Sequence, residues 1–367
     1  MSTKLKVAFL VTSLNPGGIE HYLLRFITHY KEEIDATVYC KSGKTGTLHE
    51  KYKAVGVKII PYKLSFFNLI SYYKFYFQLK LNTYNSICDF TGNFATLPLL
   101  SAKYAGIEKR LVFFRGATNH FKETPFKLFY NFIMNRGLPT VSTTILSNSK
   151  AAINHFYPKL HKRNPEKFKI IYNGINVKSF LNTSESLRRE LAIPENAFVV
   201  GHVGRYNIAK NHKTIIDVAV ELCKTNTDTY FILCGKDVVN NLQQKVQVKN
   251  ATSQIKLLDF RDDVIKVLNS LDCFYFPSIT EGQPNALIEA MVVGVPFVAS
   301  NIPSIKETVP KKLHSQLIPP MDITLAIKKI KEIKNKENSS KFKSLGNTTA
   351  TIYNSNVLFG KFYKELS

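Results

Sequence analysis

Acidic residues are the scarce class in this 367-residue sequence, with 27 Asp and Glu against 50 Lys and Arg and a formal net charge of +23. The deficit is uneven. Residues 1–180 hold 26 basic against 9 acidic side chains, a net +17, and the remainder 24 against 18, a net +6. The first half is therefore expected to meet something anionic: nucleic acid, an anionic membrane surface or a phosphorylated substrate. Cysteine is also sparse. Cys40, Cys88, Cys223, Cys234 and Cys273 are odd in number, scattered and never in a Cys-x-x-Cys pair, which excludes a disulfide framework and a zinc knuckle and predicts reduced core thiols. No run approaches the roughly 18 uninterrupted apolar residues of a spanning helix. The apolar run near the N-terminus breaks at Asn15-Pro16-Gly17-Gly18 without a cleavage-type segment, so it reads as a strand and the chain is expected in the cytoplasm. The sequence has no short-period repeat, no low-complexity tract and no nucleic-acid module, so charge alone does not argue for nucleic acid.

What is present is a hydrophobic fraction of 44% and a charged fraction of 21%, the balance of a soluble globular chain. The length suits two domains rather than one core. Short apolar runs alternate with amphipathic segments, the pattern of βα units around parallel sheets. VAFLVT (7–12), ATVYC (36–40), VKIIP (57–61), RLVFF (110–114) and TTILSN (143–148) form one series of predicted strands. FVVGHVGR (198–205), YFILCG (230–235), IKLLDF (255–260), CFYFPS (273–278) and VPFVAS (295–300) form a second. Between them the polar, turn-rich stretch from Ile171 onward places a boundary near residues 173–185. The expected domains are 1–175 and 186–350, each doubly wound, with a helical tail at 351–367 that can pack back on either, the first domain foremost.

Two segments are more apolar than a surface helix requires. YKLSFFNLISYYKFYFQLK (62–80) carries aromatic and aliphatic residues around almost its whole circumference, with Lys63, Lys74 and Lys80 interspersed. It reads either as a buried helix covering the first sheet or as a surface helix dipping into a headgroup region. FKETPFKLFYNFIMNR (121–136) has similar character.

The richest chemistry lies in SITEGQPNALIEAM (278–291), where Glu281 and Glu289 stand eight positions apart. CFYFPS before it is a predicted buried strand, Glu281-Gly282-Gln283-Pro284 a loop at its carboxyl end, and Asn285 to about Val293 a helix stopped by Gly294. The carboxyl ends of parallel strands bind ligands in open α/β sheets, and a helix opening there offers unpaired N–H groups and partial positive charge. Asn285, Ala286 and Leu287 are therefore candidate phosphate binders. Carboxylates are poor neighbours for phosphate but strong acceptors from sugar hydroxyls, so one acid can hold a sugar on one side of a diphosphate and the other a ribose beyond it.

These residues carry a resemblance. The Glu-x7-Glu spacing of EGQPNALIEAM followed by GVPFVAS resembles the donor-site signature of glycosyltransferase family 4, retaining enzymes of the GT-B fold found in bacterial surface-polysaccharide biosynthesis. SLNPGGIEHYLLRF is similar to the family's N-terminal glycine loop, VGRYNIAKNHKTIIDVA to its Gly-Arg…Lys element, and IYNGINVKSF to its interdomain linker. The resemblance implies an α/β GT-B fold, two Rossmann-like domains facing a central cleft, the first binding acceptor and the second the nucleotide sugar. It implies that Glu289 binds ribose hydroxyls, that Glu281 holds the transferred sugar, and that Arg205 and Lys210 clamp the diphosphate, with Lys213 a nearby competitor. Gly17 and Gly18 would let backbone approach the diphosphate. RGATNHF offers either Arg115 or His120 for a histidine that many members carry near the sugar, and Asp259 stands where a glycine is common. The implied reaction needs no metal and no cofactor. The chain has no Asp-x-Asp, and the nucleotide sugar, expected to be a UDP-sugar, is a substrate. The expected function is hexosyl or acetylhexosaminyl transfer to a lipid-linked saccharide, by a protein held peripherally at an anionic inner membrane face. A sugar-nucleotide epimerase of the same fold is the alternative.

Overall fold

A computed structural model describes residues 4–65, 68–116, 125–181, 184–248, 253–335, 342 and 345–367. Two compact units emerge from its contacts, one of residues 1–173 with 357–367 and one of residues 174–356.

The first unit is built on a seven-stranded parallel sheet. Its strands are β1 (Leu5–Val11), β2 (Ile34–Cys40), β3 (Lys58–Pro61), β4 (Ser86–Asp89), β5 (Lys109–Phe114), β6 (Thr144–Ser147) and β7 (Phe168–Ile170), in the order β3-β2-β1-β4-β5-β6-β7. The chain winds outward from β1 through β2 to β3, then returns to β1's other side for β4 and onward. β1 therefore pairs with both β2 and β4, Val7 opposite Ala36 on one side and Ser86 on the other. Side chains alternate across the sheet. Val7, Phe9 and Val11 enter a core with the helices Gly18–His29 and Ser355–Leu366. Ala8 and Leu10 enter the opposite core, covered by the helices Leu69–Asn82, Thr96–Tyr104 and Pro125–Val141.

The second unit holds a six-stranded parallel sheet: β8 (Phe198–Val203), β9 (Thr229–Cys234), β10 (Ile255–Leu258), β11 (Cys273–Phe276), β12 (Phe297–Ser300) and β13 (Leu317–Ile318), ordered β10-β9-β8-β11-β12-β13. Here too the winding reverses, between β8 and β11. Such strands, covered on both faces, are near-continuous apolar runs, and CFYF of β11 is fully buried.

All ten predicted strands are present within one or two residues. β4, β7 and β13 were not expected. β4, SICD, has only two apolar residues between polar ends, and β7 and β13, three and two residues long, are too short to show periodicity above their surroundings. The predicted helix of the 62–80 segment begins only at Leu69, capped by the Asn68 side chain accepting from the Ser71 amide at 3.2 Å. The contact boundary falls between Asn173 and Gly174, and residues 174–185 pack with the second unit. The five cysteines are buried and free.

Candidate active site

In the second unit the winding reversal separates the carboxyl ends of β8 and β11, the position where open α/β sheets leave a crevice for a ligand. The loops leaving these two strands supply the charged residues. After β8 the chain turns through Gly204 and Arg205, and a short 3-10 turn at Ile208–Lys210 leads into the helix His212–Thr225. Asn207 caps that turn, its side chain accepting from the Lys210 amide at 2.9 Å. Lys210 is thereby aimed across the reversal, and its Nζ lies 2.6 Å from Glu281 Oε1. Both side chains are largely buried, 17% and 11% exposed. The ammonium also lies 4.7 Å from the centre of the Phe276 ring, a cation–π contact.

Asn211 fixes this arrangement. It adopts a left-handed conformation (φ 58°), which asparagine tolerates better than most residues. Its Nδ2 donates to the carbonyls of Pro277 at 3.2 Å and Pro320 at 2.9 Å, and its Oδ1 accepts from Thr214 at 2.9 Å. One buried amide thus ties the lysine loop to the loops following β11 and β13. The Ile279 amide adds a bond to the Ala209 carbonyl at 2.8 Å. Lys213, the competing cation, points away: it is 87% exposed and pairs with Asp217 one turn along its helix. Arg205 is exposed and makes no ion pair with a described carboxylate.

The helix Asn285–Val293 opens beside Glu281 and ends at Gly294, whose φ of 86° gives the left-handed stop. Its amides at Ala286 and Leu287 fall in the first turn, where no intrahelical acceptor exists. The Leu287 side chain is fully buried, so anything this residue offers a ligand comes from its backbone. Asn285, Ala286, Glu289 and Val293 are the half-buried positions, and at 3.6 residues per turn they occupy an arc of about 100°. Asn285 and Glu289, four apart, share that face. Glu289 stands about 6 Å further along the helix axis than Asn285. The two acids therefore frame the helix opening, Glu281 before it and Glu289 one turn inside.

Two buried histidines lie under the lysine loop. His202 of β8 donates from Nδ1 to the Tyr275 carbonyl at 3.0 Å, and its ring stacks on Phe276. His212 lies 5.2 Å from it, ring centre to ring centre. Burial first, then the neighbouring His212 and Lys210, holds the His202 pKa well below its usual value, and burial pushes that of His212 down to about 4. Both are neutral at pH 7, so Lys210 is not opposed by a second buried cation. Asp259 leaves β10 and accepts from the Val239 amide at 3.3 Å, at the start of the helix Val238–Val248.

In the first unit the corresponding reversal lies between β1 and β4. Gly17 caps the helix Gly18–His29 with extended backbone, and neither Gly17 nor Gly18 has a positive φ. A Cβ on Gly18 would meet nothing within 4 Å, whereas one on Gly17 would press on the Glu20 carboxylate at 2.5 Å, with the Asn15 carbonyl oxygen at 3.9 Å. Gly18 therefore leaves open space at the helix end, and Gly17 makes room for the Glu20 carboxylate. The glycine that the backbone requires is Gly46, with φ 103° and a virtual Cβ 2.5 Å from the Leu14 carbonyl carbon. Beneath, Lys41 donates to Asp89 at 2.9 Å, Thr91 Oγ1 at 2.7 Å and the Phe94 carbonyl at 2.9 Å, a buried brace across the end of β1. Arg115, just past β5, lies over Tyr22 with its guanidinium carbon 3.8 Å from the ring centre. Burial lowers its pKa to about 10, which still leaves it charged at neutral pH. His120 lies outside the described residues. Asn207, Asn211 and the histidine pair were missed by the sequence reading. Asn207 and Asn211 flank the lysine turn, and turn-forming asparagines on both sides of a candidate cation were the available signal.

Comparison with known proteins finds glycosyltransferases. The family model described as Glycosyl transferases group 1 matches residues 183–348. The chain is 26% identical to the UDP-Gal:alpha-D-GlcNAc-diphosphoundecaprenol alpha-1,3-galactosyltransferase of Escherichia coli over 318 residues, covering 82% of this chain and 80% of that one. It is 25% identical to the capsular polysaccharide biosynthesis glycosyltransferase CapH of Staphylococcus aureus, covering 81% and 82%. Its fold is similar to that of Anabaena HepE, crystallised with UDP and glucose, at a TM-score of 0.81, 19% identity and 99% coverage of both chains. The α/β architecture of two Rossmann-like parallel-sheet units is that of GT-B glycosyltransferases. Sequence, fold and relatives together support a glycosyltransferase related to those of bacterial capsule and O-antigen biosynthesis, with the group 1 glycosyl transferase match in residues 183–348.

Proposed function

We propose that the protein is a retaining, metal-independent transferase of the family 4 kind that moves a hexosyl or acetylhexosaminyl group from a nucleoside diphosphate sugar to a lipid-linked saccharide. The observation that carries this reading is the meeting of Lys210 and Glu281 at the β8–β11 reversal, beside the open amides of the helix Asn285–Val293. Lys210, Arg205 and those amides take the charge of the leaving diphosphate. Glu281 accepts from hydroxyls of the transferred sugar and Glu289 from the ribose. The bond between the anomeric carbon and the diphosphate oxygen breaks, and its electron pair leaves with the nucleotide. The acceptor oxygen bonds to the same face of that carbon and gives its proton to the departing phosphate oxygen, so no protein nucleophile is required. UDP is the first candidate nucleotide: the E. coli relative is named for UDP-Gal and the HepE structure holds UDP.

The diphosphoundecaprenol acceptor in the name of the E. coli relative supports the lipid-linked acceptor, and with it work at the inner membrane face. Among the described residues no helix is long and apolar enough to cross a membrane. The epimerase reading is not favoured, since the relatives are transferases. The test is to supply UDP-sugars and a polyprenyl-diphosphate saccharide in the presence of a chelator, then assign the new linkage by NMR. The expected product keeps the donor's anomeric configuration, and Lys210→Ala lowers the rate on the order of tenfold or more. An inverted linkage, or activity abolished by the chelator and restored by metal, would sink the proposed mechanism.

A further inference from the structure

The helix Leu69–Asn82 has two apolar faces. Tyr72, Phe75 and Leu79 are buried in the first unit's core. Ile70, Tyr73, Phe77 and Leu81 are 66%, 64%, 44% and 81% exposed. At about 100° per residue these four fall within an arc of about 80° on the side opposite the buried stripe. Lys74 and Lys80, both exposed, stand just beyond either edge of that arc. The exposed rings are packed on one another, Tyr73 against Phe77 at 4.9 Å and Tyr76 against Phe77 at 4.9 Å, with Lys80 folded over Tyr76.

The patch continues beyond this helix. Thr96–Tyr104 bonds to its neighbour on one side through Ser101 Oγ to the Tyr72 carbonyl, and on the other through Thr96 Oγ1 to the Met134 carbonyl of Pro125–Val141. The last helix likewise buries Asn131, Leu138 and Val141 and turns Phe129, Phe132 and Ile133 outward at 63%, 55% and 46% exposure, with Arg136 over Phe132. Ten of the fifteen large apolar side chains exposed among the described residues belong to these three neighbouring helices. None of the three contains an Asp or Glu.

We infer that this three-helix layer is a membrane-docking face, lying in the headgroup region of an anionic bilayer with the exposed apolar stripes inserted and Lys74, Lys80, Lys103 and Arg136 reaching the lipid phosphates. The inference rests on the transferase reading only for why a membrane matters; binding to vesicles is measured without any sugar nucleotide. An in-plane helix needs an apolar face flanked by basic side chains whose stems reach outward to the headgroups, and tyrosine suits that boundary. A second copy of this chain fits poorly, because a two-fold contact would set this wholly basic surface against itself.

The test is flotation of the purified full chain with phosphatidylglycerol-containing and with phosphatidylcholine vesicles at low salt. Sedimentation follows the oligomeric state, and calorimetry follows sugar-nucleotide binding in the same preparations. The wild type is expected to float with the anionic vesicles. Tyr73→Glu with Phe77→Glu, and separately Phe132→Glu with Ile133→Glu, should each cut the bound fraction on the order of tenfold or more, with circular dichroism unchanged and sugar-nucleotide binding retained. Lys74→Glu with Lys80→Glu should remove the preference for anionic lipid. Wild-type protein left in the bottom fraction, or both folded apolar variants floating as the wild type does, would overturn the inference. So would a dimer that these variants dissociate, which would give the face to a second copy.

Discussion

Lys210 owes its place to the residue that follows it. Asn211→Gly keeps the left-handed backbone but removes the fork to Pro277 and Pro320, whereas Asn211→Ala also strains the turn by about 1–3 kcal/mol. Both are expected to weaken sugar-nucleotide binding, with the alanine variant melting lower, as calorimetry and thermal unfolding would show; unaltered binding in both would mean that Asn207 and the loop backbone suffice. This fork could not be read from sequence, since its acceptors follow strands that lie far along the chain, one of them the two-residue β13. The choice between Lys210 and Lys213 was open for the same reason. The histidines give a pH prediction. His212 has its pKa lowered from 6.5 to about 4, so between those values the unfolded chain binds more protons than the folded one. Stability present above about pH 6.5 is lost as pH falls toward 4, on the order of 3 kcal/mol from this group. Melting curves of the wild type and His212→Asn should therefore converge on acidification, the variant losing less; parallel curves would remove the histidine from the account.

At the level of elements, the glycine loops differ in what they require. Gly17-Gly18 attracts attention in sequence, yet its backbone is ordinary; Gly18 leaves open space and Gly17 makes room for the Glu20 carboxylate. Gly46 is inconspicuous in sequence, but its loop supplies the Thr45 carbonyl to the Leu14 amide and its left-handed φ lets it press on Leu14. Gly46→Ala is expected to destabilise the protein by more than about 1 kcal/mol, with Gly18→Ala near neutral in stability; similar melting temperatures for the two would contradict this. Long apolar strands and the helix Asn285–Val293, with Gly294 as its stop, were legible because periodicity and capping are local signals. β4, β7 and β13 were not, since their neighbours in the sheet, rather than their own apolar pattern, define them. For the segment at 62–80 the sequence offered burial or surface exposure, and the helix shows one face of each.

For the whole molecule, the alternation of strands and helices was enough to expect two doubly wound units, because parallel strands require covering helices on both faces. What pattern could not supply was where the last helix belongs. Ser355–Leu366 places Phe359, Phe362 and Leu366 in the first sheet's core, with Phe362 4.6 Å from Phe26, so the chain's end completes the unit in which it began. The excess charge of the first half likewise becomes interpretable only when helices separated by intervening strands are seen to share one layer. The central claim is that the crevice at the β8–β11 reversal holds a sugar nucleotide. Calorimetry of the protein against UDP-, GDP- and ADP-sugars, with Glu289→Ala alongside, tests it most directly. The account predicts selective binding of one nucleotide class, UDP first, lost in the variant; binding to none of them, or binding unchanged by Glu289→Ala, would contradict it.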